Sequence, residues 1–377
     1  MIYLFWFSFL GVFYAYFGYP LLLLVLGKIK DLFKPLNMEL LSENQAPSVT
    51  IIIPAYNEEK VIKNKIENTL DLYYPGELQI LFVSDGSTDL TVSYINEYID
   101  NVKLLELKKR QGKAQAMNMA LEEASGEIIV FTDASIMLEK DSIWNIIQPF
   151  ADSEIGCVSG EDHIEGGGSE GLYGKYELFL RNQESRIGSI VGASGSFYAQ
   201  RKELVSPFLE GLAPDFLSVM NTVEKGYRVI TYPLAKGEMT ALKSNQDEFN
   251  RKVRTLIRGM TAMFKKTKLL NPVRYPLFSL FLISHKLFRW LVPFFLIILF
   301  LSNLYLLDYV FFILTIMLQV VFYFLAVLGN TGNEKIMESV VGKVAVYFTN
   351  VNVAIFVAWF KYLAGVRQEL WVPTKRS

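Results

Sequence analysis

The stretch QILFVSDGSTD, residues 79–89, decides the fold class because an apolar run ends abruptly on a polar cluster. The apolar half has the length and composition of a strand that is buried on both faces, which is typical of a parallel sheet. The polar half contains the turn dipeptide Asp85-Gly86 and hydroxyl groups that can cap a following helix. A turn and a cap explain Gly86, Ser87 and Asp89, but they leave Asp85 without a local reason.

Similar apolar runs occur on both sides of this stretch, and amphipathic segments separate them. The runs are VTIII (49–53), VKLLEL (102–107) and EIIVFT (127–132), and helices are predicted over 58–72 and 113–123. Alternation of buried strands and helices predicts a Rossmann-type α/β half. Ligands of such sheets bind beyond the carboxyl ends of the strands.

Three local signals set the expected boundaries of these elements. Pro54 cannot donate to a sheet ladder, so it is expected to help end the first strand. Asn57 is a predicted cap of the helix that follows. Gly126 stands where a C-cap glycine would end the helix before the fourth strand.

Long uncharged segments predict that the chain is a membrane protein. Hydrophobic residues make up 51% of the chain, and the mean hydropathy is +0.27. Residues 1–27 carry no charge and lack the short apolar core of a signal peptide, so they predict a retained N-terminal span. Lys28, Lys30 and Lys34 follow it and place the next domain in the cytoplasm.

The C-terminal third is apolar again. The predicted divisions are an N-terminal span over 1–27, a soluble domain over 37–270, an interfacial segment over 271–289, a membrane region over 290–366 with spans at 290–307, 309–333 and 344–360, and a tail over 367–377. Counting the spans puts the C-terminus outside, whereas its cations favour the cytoplasm. These cations are Lys361, Arg367, Lys375 and Arg376. An interfacial or re-entrant segment would reconcile the two arguments.

Composition excludes several classes of function. The net charge of −1 and the pI of about 6.3 provide no basic field for nucleic acid. Cys157 is the single cysteine, so an intramolecular disulfide is impossible. The two histidines, His163 and His285, are too few and too far apart to predict a zinc site.

Polar clusters follow the predicted strands and would converge on one crevice. They are PAYNEE (54–59), VSDGSTD (83–89), GKAQAMN (112–118) and VFTDAS (130–135). Gly112 permits close approach of a ligand to the backbone, the helix N-terminus beside it can hold a phosphate, and Lys113 adds charge. Asp133 follows a buried strand, where a carboxylate commonly binds Mg²⁺ or Mn²⁺; a helix cap is the alternative.

The order of these clusters resembles that of membrane-bound family 2 glycosyltransferases, which have the GT-A fold, invert configuration and use nucleotide sugars. Later segments continue the resemblance, which covers essentially all of residues 47–377. They are GASGSFYAQRKEL (192–204), APDF (213–216), EKGYRVITYPLAKGE (224–238), RKVRTLIRG (251–259), SHKLFRWLVPF (284–294) and WVPTKR (371–376). The combined order is specific, although no single motif is. The domain over 37–270 is then the catalytic GT-A domain.

The resemblance implies a role for each matching residue. Asp215 is expected to be the catalytic base, with a surface aspartate as the alternative. Asp133 would bind a divalent cation, Mn²⁺ or Mg²⁺, at the donor diphosphate, and Asp85 would bind the uracil or ribose. The further donor-site residues are Pro54, Ala55, Tyr56, Glu58, Lys113, Arg251 and Arg254, and the acceptor-side residues are Gly195, Ser196 and Phe197. Attraction of the basic segment 251–268 to anionic lipid headgroups is another interpretation.

The chain departs from the family pattern in three places. Many relatives carry a second acid two positions after the metal-binding aspartate, where this chain has Ser135. Many have paired acids before the base, where this chain has Pro214. Processive members often carry Gln-x-x-Arg-Trp, and the matching residues here are Arg251, Arg254 and Thr255. The last departure favours addition of one sugar per encounter.

The resemblance therefore implies an inverting, metal-dependent transferase at the cytoplasmic face of the cell membrane. It would move a sugar, foremost from a UDP-sugar, to a glycan or lipid-linked acceptor for surface polysaccharide or glycolipid synthesis, in contact with membrane lipids and partners of a biosynthetic complex. A processive polysaccharide synthase is the alternative within the class. A non-catalytic nucleotide-sugar binder is less favoured because Asp215 and Asp133 are both present. Uncharged spans count against a transporter.

Overall fold

The computed structural model describes residues 1–33, 39–165, 168–240 and 245–367. The C-terminal WVPTKR motif and the cations Lys34, Lys375 and Arg376 lie outside the described residues. Predictions that rest on them are left as predictions.

A single mixed sheet forms the centre of the soluble domain. Its strands are β1 (Val49–Ala55), β2 (Leu78–Ser84), β3 (Lys103–Glu106), β4 (Ile128–Thr132), β5 (Met137–Leu138), β6 (Ile155–Glu165), β7 (Phe197–Arg201) and β8 (Arg228–Thr240). Their order across the sheet is β3-β2-β1-β4-β7-β6-β8-β5. The first four strands pair in parallel, which confirms the predicted Rossmann-type half. β7 is antiparallel to both of its neighbours, so the second half is mixed.

Helices cover both faces of the sheet and extend beyond it. They are α1 (Ile2–Phe33), α2 (Ile62–Leu70), α3 (Thr91–Asn96), α4 (Lys113–Glu123), α5 (Ser142–Ile147), α6 (Gly168–Ile187), α7 (Pro214–Glu224), α8 (Asn245–Lys265), α9 (Pro276–Leu304), α10 (Val310–Asn330), α11 (Glu334–Glu338) and α12 (Val340–Leu363). Short 3₁₀ turns occur at Glu43–Gln45, Gln148–Ala151, Lys202–Leu204 and Thr267–Leu270. The helix predicted over 113–123 is therefore confirmed.

Successive residues of the parallel strands enter cores on opposite faces of the sheet. Ile52 belongs to one core and Ile51 to the other. Met117 of α4 packs in the first core, and Ile66 of α2 packs in the second. The first core continues into the apolar helices through Phe281 of α9, which is fully buried. The sheet and the apolar helices thus share the first of these cores.

In the described part of the chain, α1, α9, α10 and α12 are long and apolar enough to cross a membrane. α1 runs on to Phe33, beyond the predicted limit at residue 27. The segment 271–289, predicted as a separate interfacial helix, is instead mostly the first part of α9. Its polar SHK sequence lies in a π-helical turn, Leu282–Leu287, so the helix continues through it. α10 and α12 correspond to the spans predicted in the last third of the chain.

The helix after β1 begins later than predicted, because the loop before it has other hydrogen-bond partners. Asn57 has a positive φ of 53° and does not cap the helix, which starts at Ile62. The Glu58 N–H donates to Thr91 Oγ1 at 2.8 Å, and the Glu59 N–H donates to Asp89 Oδ2 at 3.1 Å. Side chains that follow β2 therefore hold this loop in a non-helical form.

Two other boundary predictions are corrected. β1 continues through Pro54, which is paired in register with Val83, and ends one residue later. Gly126 lies beyond the C-cap residue Ala124 of α4 and does not end the helix. A Cβ atom on Gly126 would lie 2.4 Å from the backbone nitrogen of Thr50. Close approach to β1, rather than helix termination, requires glycine there.

Candidate active site

A cleft of about 460 Å³ opens beyond the carboxyl ends of β1 and β4, as expected for a parallel sheet. Helices α7, α8 and α9 form its other walls. The site residues predicted from sequence that line it are Pro54, Glu58, Lys113, Asp133, Gly195, Ser196, Asp215, Arg251 and Arg254. Charged residues that sequence reasoning missed also line it: Asp162, Arg181, Arg258 and Lys286. Residues separated by more than two hundred positions therefore meet in one cleft.

The structure does not bring four of the predicted site residues to the cleft wall. Ala55 and Phe197 are buried at 1% and 0% exposure, inside the core behind β1 and β7. Both side chains pack in that core, so contacts of these two residues with donor and acceptor stay predictions. Tyr56 instead stacks under the guanidinium of Arg110, which lies 4.1 Å from the ring centroid. The fourth residue is Asp85, which is buried and contacts backbone groups of the protein.

Asp85 is buried and holds the loop that leads into α4. The N–H of Gln111 donates to Asp85 Oδ1 at 2.7 Å. The N–H of Gly112 donates to Asp85 Oδ2 at 2.9 Å, and Gly112 has a φ of 102°, in the left-handed region. The carboxylate thereby satisfies two backbone donors that burial would otherwise leave unpaired. In the structure, Asp85 positions this loop. We therefore expect Asp85 to contribute to the stability of the protein in addition to any effect on donor affinity.

Replacement of Asp85 by asparagine tests this role. The Asp85→Asn amide turns an N–H₂ group toward a backbone donor, so we expect a loss of about 1–3 kcal/mol in the free energy of unfolding. We also expect weaker donor binding, because Lys113 follows the displaced loop. Thermal unfolding with and without donor measures both effects. A variant with wild-type stability and only reduced donor affinity would restore the purely ligand-binding interpretation.

The Asp133 carboxylate lies at the end of β4 and is paired with a lysine. Lys113 Nζ lies 2.5 Å from Asp133 Oδ1, and both side chains are partly exposed to the cleft. The Asp133 N–H donates to the Ser196 carbonyl at 3.0 Å, which ties this turn to the loop before β7. The side chains expected to meet the donor phosphates are thus next to each other.

One carboxylate is enough only for a cation that also binds substrate. Within the described residues there is no group of three or more His, Cys, Asp or Glu side chains that could hold a metal ion. Mg²⁺-type sites commonly use one or two carboxylates together with water and substrate phosphates. Asp133 fits that type of site, with Ser135 as a neighbouring oxygen donor on the cleft wall.

A buried lysine supports the turn that carries Asp133. Lys65 of α2 is fully buried, and its ammonium donates to the Ile136 carbonyl at 2.7 Å and to Thr132 Oγ1 at 3.1 Å. Burial lowers the pKa of Lys65 to about 7, and the Asp133 carboxylate opposes this shift. An isolated lysine in an amphipathic helix is usually solvent-exposed, so the sequence carried no signal for this role.

Asp215 lies in the first turn of α7 and faces the loop before β7. A Cβ atom on Gly195 would lie 3.8 Å from its carboxyl carbon, so the glycine leaves space beside the carboxylate. Burial raises the pKa of Asp215, while Lys113 and Arg181 pull it down. A raised pKa makes a carboxylate a stronger proton acceptor. The position and the electrostatics therefore suit a general base.

One face of α8 supplies a row of cations to the cleft. Arg251, Arg254 and Arg258 are spaced by three and four residues, which places them on the same side of a helix. Burial lowers the pKa of Arg254, and the neighbouring Arg251 lowers it further. Three guanidinium groups held this close favour a multiply charged anion such as a diphosphate.

The N-terminus of α4, where a phosphate was expected, already faces a carboxylate. The N–H of Gln115 donates to Glu210 Oε1 at 3.2 Å. A Cβ atom on Gly112 would lie 2.8 Å from the same oxygen. The anion at this helix terminus is therefore part of the protein, and Lys113 is the residue of this segment that reaches the cleft.

A mixed α/β sheet with a polar crevice, joined to apolar helices, is the architecture of a GT-A glycosyltransferase with a membrane region. Residues 50–206 match the model of glycosyl transferase family 2. A solved structure described as mannosyltransferase PcManGT from Pyrobaculum calidifontis in complex with GDP-Man and Mn²⁺ is similar over 96% of this chain and 99% of that chain. The TM-score is 0.73 and the sequence identity is 25%.

Curated relatives match about half of the chain. Poly-β-1,6-N-acetyl-D-glucosamine synthase of Staphylococcus epidermidis is 28% identical over 195 residues, which is 47% of each chain. The synthase of the same name from Staphylococcus aureus strain COL is 25% identical over 207 residues, 51% of this chain and 50% of the relative. The chain spans about half the length of these relatives. It contains a family 2 glycosyltransferase domain of the GT-A fold.

Proposed function

We propose that the chain transfers a sugar, with inversion, from a nucleotide sugar to a glycan or lipid-linked acceptor at the cytoplasmic face of the membrane. One observation carries the proposal. The Asp215 carboxylate, the Lys113–Asp133 pair and the α8 arginines line the same cleft. An inverting transfer needs a base and a site for the leaving diphosphate within one cavity.

Different residues of the cleft would bind the donor and accept the proton of the acceptor. The α8 arginines and Lys113 bind and orient the donor diphosphate beyond the ends of β1 and β4. Asp133 would hold a divalent cation, which supplies charge neutralisation for the leaving diphosphate. Asp215 accepts the proton of the acceptor hydroxyl as its oxygen bonds to the anomeric carbon. The bond from that carbon to the diphosphate breaks on the opposite face, and this gives inversion.

Addition of one sugar per encounter is the leading form of this activity. The structure that is similar over nearly the whole chain is described as a mannosyltransferase. The polymer-forming synthases are similar over about half of the chain, and they support processive synthesis as the second candidate. Product length on a labelled acceptor separates the two, since a single addition gives one product band.

A screen of nucleotide sugars tests the proposed function directly. We expect one UDP- or GDP-sugar to raise the melting temperature of the full chain in detergent and to be slowly hydrolysed. A ligand at 100 times its Kd stabilises the native state by about 2.7 kcal/mol. EDTA should stop hydrolysis, and Mn²⁺ or Mg²⁺ should restore it. Hydrolysis that is unchanged in EDTA would overturn the role of Asp133, and a screen with no stabilising nucleotide sugar would overturn the function.

A further inference from the structure

Lys286 brings a positive charge from an apolar helix into the cleft. It lies in the π-helical turn of α9, and such turns often occur at functional sites. A Cβ atom on Gly192 would lie 3.7 Å from its Nζ atom. Gly192 is three residues before Gly195, which faces the Asp215 carboxylate. The Lys286 ammonium is thus on the wall of the cleft where α9 and the acceptor-side loop meet.

Beneath Lys286, α6 and α9 are joined by a buried cluster of charges. His285 Nδ1 lies 2.6 Å from Glu184 Oε1, and His285 Nε2 lies 3.0 Å from Glu177 Oε2. Arg289 forms an ion pair with the other oxygen of Glu177. Both ring nitrogens of His285 therefore face carboxylate oxygens. The two glutamates are engaged by His285 and Arg289, and Lys286 takes no part in these contacts.

Lys286 is thus left out of the ion pairs of this cluster. Both nearby carboxylates are already used: Glu177 by His285 and Arg289, and Glu184 by His285 and by the hydroxyl of Tyr19 at 2.6 Å. Within the described ranges no carboxylate oxygen lies within 4 Å of the Lys286 ammonium. A partly buried cation needs an anionic partner to offset the loss of its hydration.

Arg181 of α6 provides a second cation on the same wall. Its guanidinium donates to the Ala193 carbonyl at 3.4 Å, next to Gly192. It is close enough to lower the pKa of Asp215. Arg181 of α6 and Lys286 of α9 thus both lie beside the loop before β7, at Ala193 and Gly192. Two cations beside one loop can bind the oxygens of one phosphate.

The location of Arg181 and Lys286 indicates which kind of phosphate they would bind. The donor diphosphate has its own cations, on α8 and at Lys113, beyond the ends of the parallel strands. α9 is one of the helices long and apolar enough to cross a membrane, so an anion that reaches Lys286 lies at the boundary between the cleft and the apolar helices. A lipid with a phosphate headgroup would place its phosphate at this boundary and its chains beside the apolar helices.

We propose that Lys286, together with Arg181, binds the phosphate of a lipid-linked acceptor and so orients the acceptor hydroxyl toward Asp215. This inference rests on the proposed function and names its acceptor class. The phosphate is bound and is not itself altered. The bond made to the anomeric carbon comes from a hydroxyl elsewhere on the acceptor.

Decyl phosphate is a suitable probe because it combines the phosphate with a short apolar chain. The full chain in dodecyl maltoside micelles is titrated with decyl phosphate, with decanol and with inorganic phosphate, and its melting temperature is followed. We expect stabilisation by decyl phosphate only. Lys286→Met should weaken this binding at least about tenfold, the loss of one charged contact, whereas Lys286→Arg should retain it. Stabilisation by the nucleotide sugar should be unchanged in both variants.

Lys266→Met is the matched control. Lys266 is paired with Glu224 at 2.5 Å, away from the residues that line the cleft, so its removal should leave decyl phosphate binding intact. Arg181→Gln, on another helix, is a second test that can be used if Lys286→Met does not fold. It should also weaken the binding of decyl phosphate. Equal stabilisation by inorganic phosphate or decanol, or full binding in both variants, would overturn the proposal. If Lys286→Met weakened the binding of nucleotide sugar as much as that of decyl phosphate, Lys286 would belong to the donor site and the proposal would be overturned. Hydrolysis of the donor by the wild-type protein would still support the proposed transferase function.

Discussion

Asp215→Asn is expected to reduce the rate of sugar transfer by about 10²–10⁴-fold, because an amide cannot accept the proton of the acceptor hydroxyl. The amide has the shape of the carboxyl group and can keep its place in the first turn of α7. Donor binding should therefore survive, and the melting temperature should still rise when nucleotide sugar is added. The turnover number for transfer, measured beside this thermal shift, separates loss of the base from loss of the fold.

The pH dependence of the wild-type enzyme tests the same assignment. Burial raises the pKa of Asp215, against the opposing charges of Lys113 and Arg181. The base works only when it is ionised, so activity is lost as the pH falls through this raised pKa. We expect the acid limb of kcat/KM to lie at higher pH than an ordinary aspartate would give. In Asp215→Asn that limb should disappear from the residual activity.

A control for Asp215→Asn is available on the surface. Asp71 is 77% exposed and 3.9 Å from Lys140, outside the cleft, and Asp71→Asn should leave transfer and stability unchanged. Transfer by Asp215→Asn at a rate near that of the wild type would show that another group is the base.

The parallel half of the sheet was predictable because its signals are local. The apolar runs that became β1, β2 and β4 are buried on both faces, so each run has several consecutive apolar residues instead of an alternation of apolar and polar ones. The insertion of β7 between β4 and β6 was not predictable in this way. That pairing joins Thr132 with Phe197, 65 positions apart, and only tertiary packing selects it.

The VSDGSTD cluster shows how far local reasoning reaches. The prediction that its hydroxyls cap the next helix is wrong: that helix has Leu90 as its N-cap residue and no side-chain cap. The Ser87 and Thr88 hydroxyls instead accept hydrogen bonds from Asn57. Asp89 accepts from the N–H of Thr91, two residues on, and also from the N–H of Glu59, 30 residues earlier. Asp85, which had no local reason, accepts from residues 26 and 27 positions later. A polar residue that local structure leaves unexplained is thus a signal of a long-range contact.

The cations that line the cleft also differ in whether the sequence could predict them. Arg258 could have been found from Arg251 and Arg254, since it is four residues further on the same face of a helix. Arg181 and Lys286 could not, because a sequence does not reveal which face of α6 meets which face of α9. In the sequence, the SHKLFRW segment indicated an interfacial helix. In the structure its His285 and Arg289 contact Glu177 and Glu184, while Lys286 lines the cleft.

Glu177→Gln is expected to be the most destabilising single change among those considered. It would remove the carboxylate that contacts both His285 and Arg289, whose side chains are 1% and 8% exposed, and leave the Arg289 guanidinium with the Tyr173 hydroxyl. Arg289 and His285 now hold the pKa of Glu177 well below its usual range, although burial alone would raise it. Removing one partner of a buried ion pair costs about 3–5 kcal/mol. Chemical unfolding in mixed detergent micelles measures the loss.

The double variant Glu177→Gln/Arg289→Met distinguishes charge imbalance from lost packing. It removes one charge of each sign, so we expect it to recover part of the loss, with a coupling free energy of about 0.5–3 kcal/mol. The exposed pair of Lys103 and Glu123, 49% exposed on each side, is the matched control. Glu123→Gln should cost less than about 1 kcal/mol, because water screens a surface pair. If Glu177→Gln cost no more than Glu123→Gln, the cluster would not hold α9 against α6, and the position of Lys286 would need another explanation.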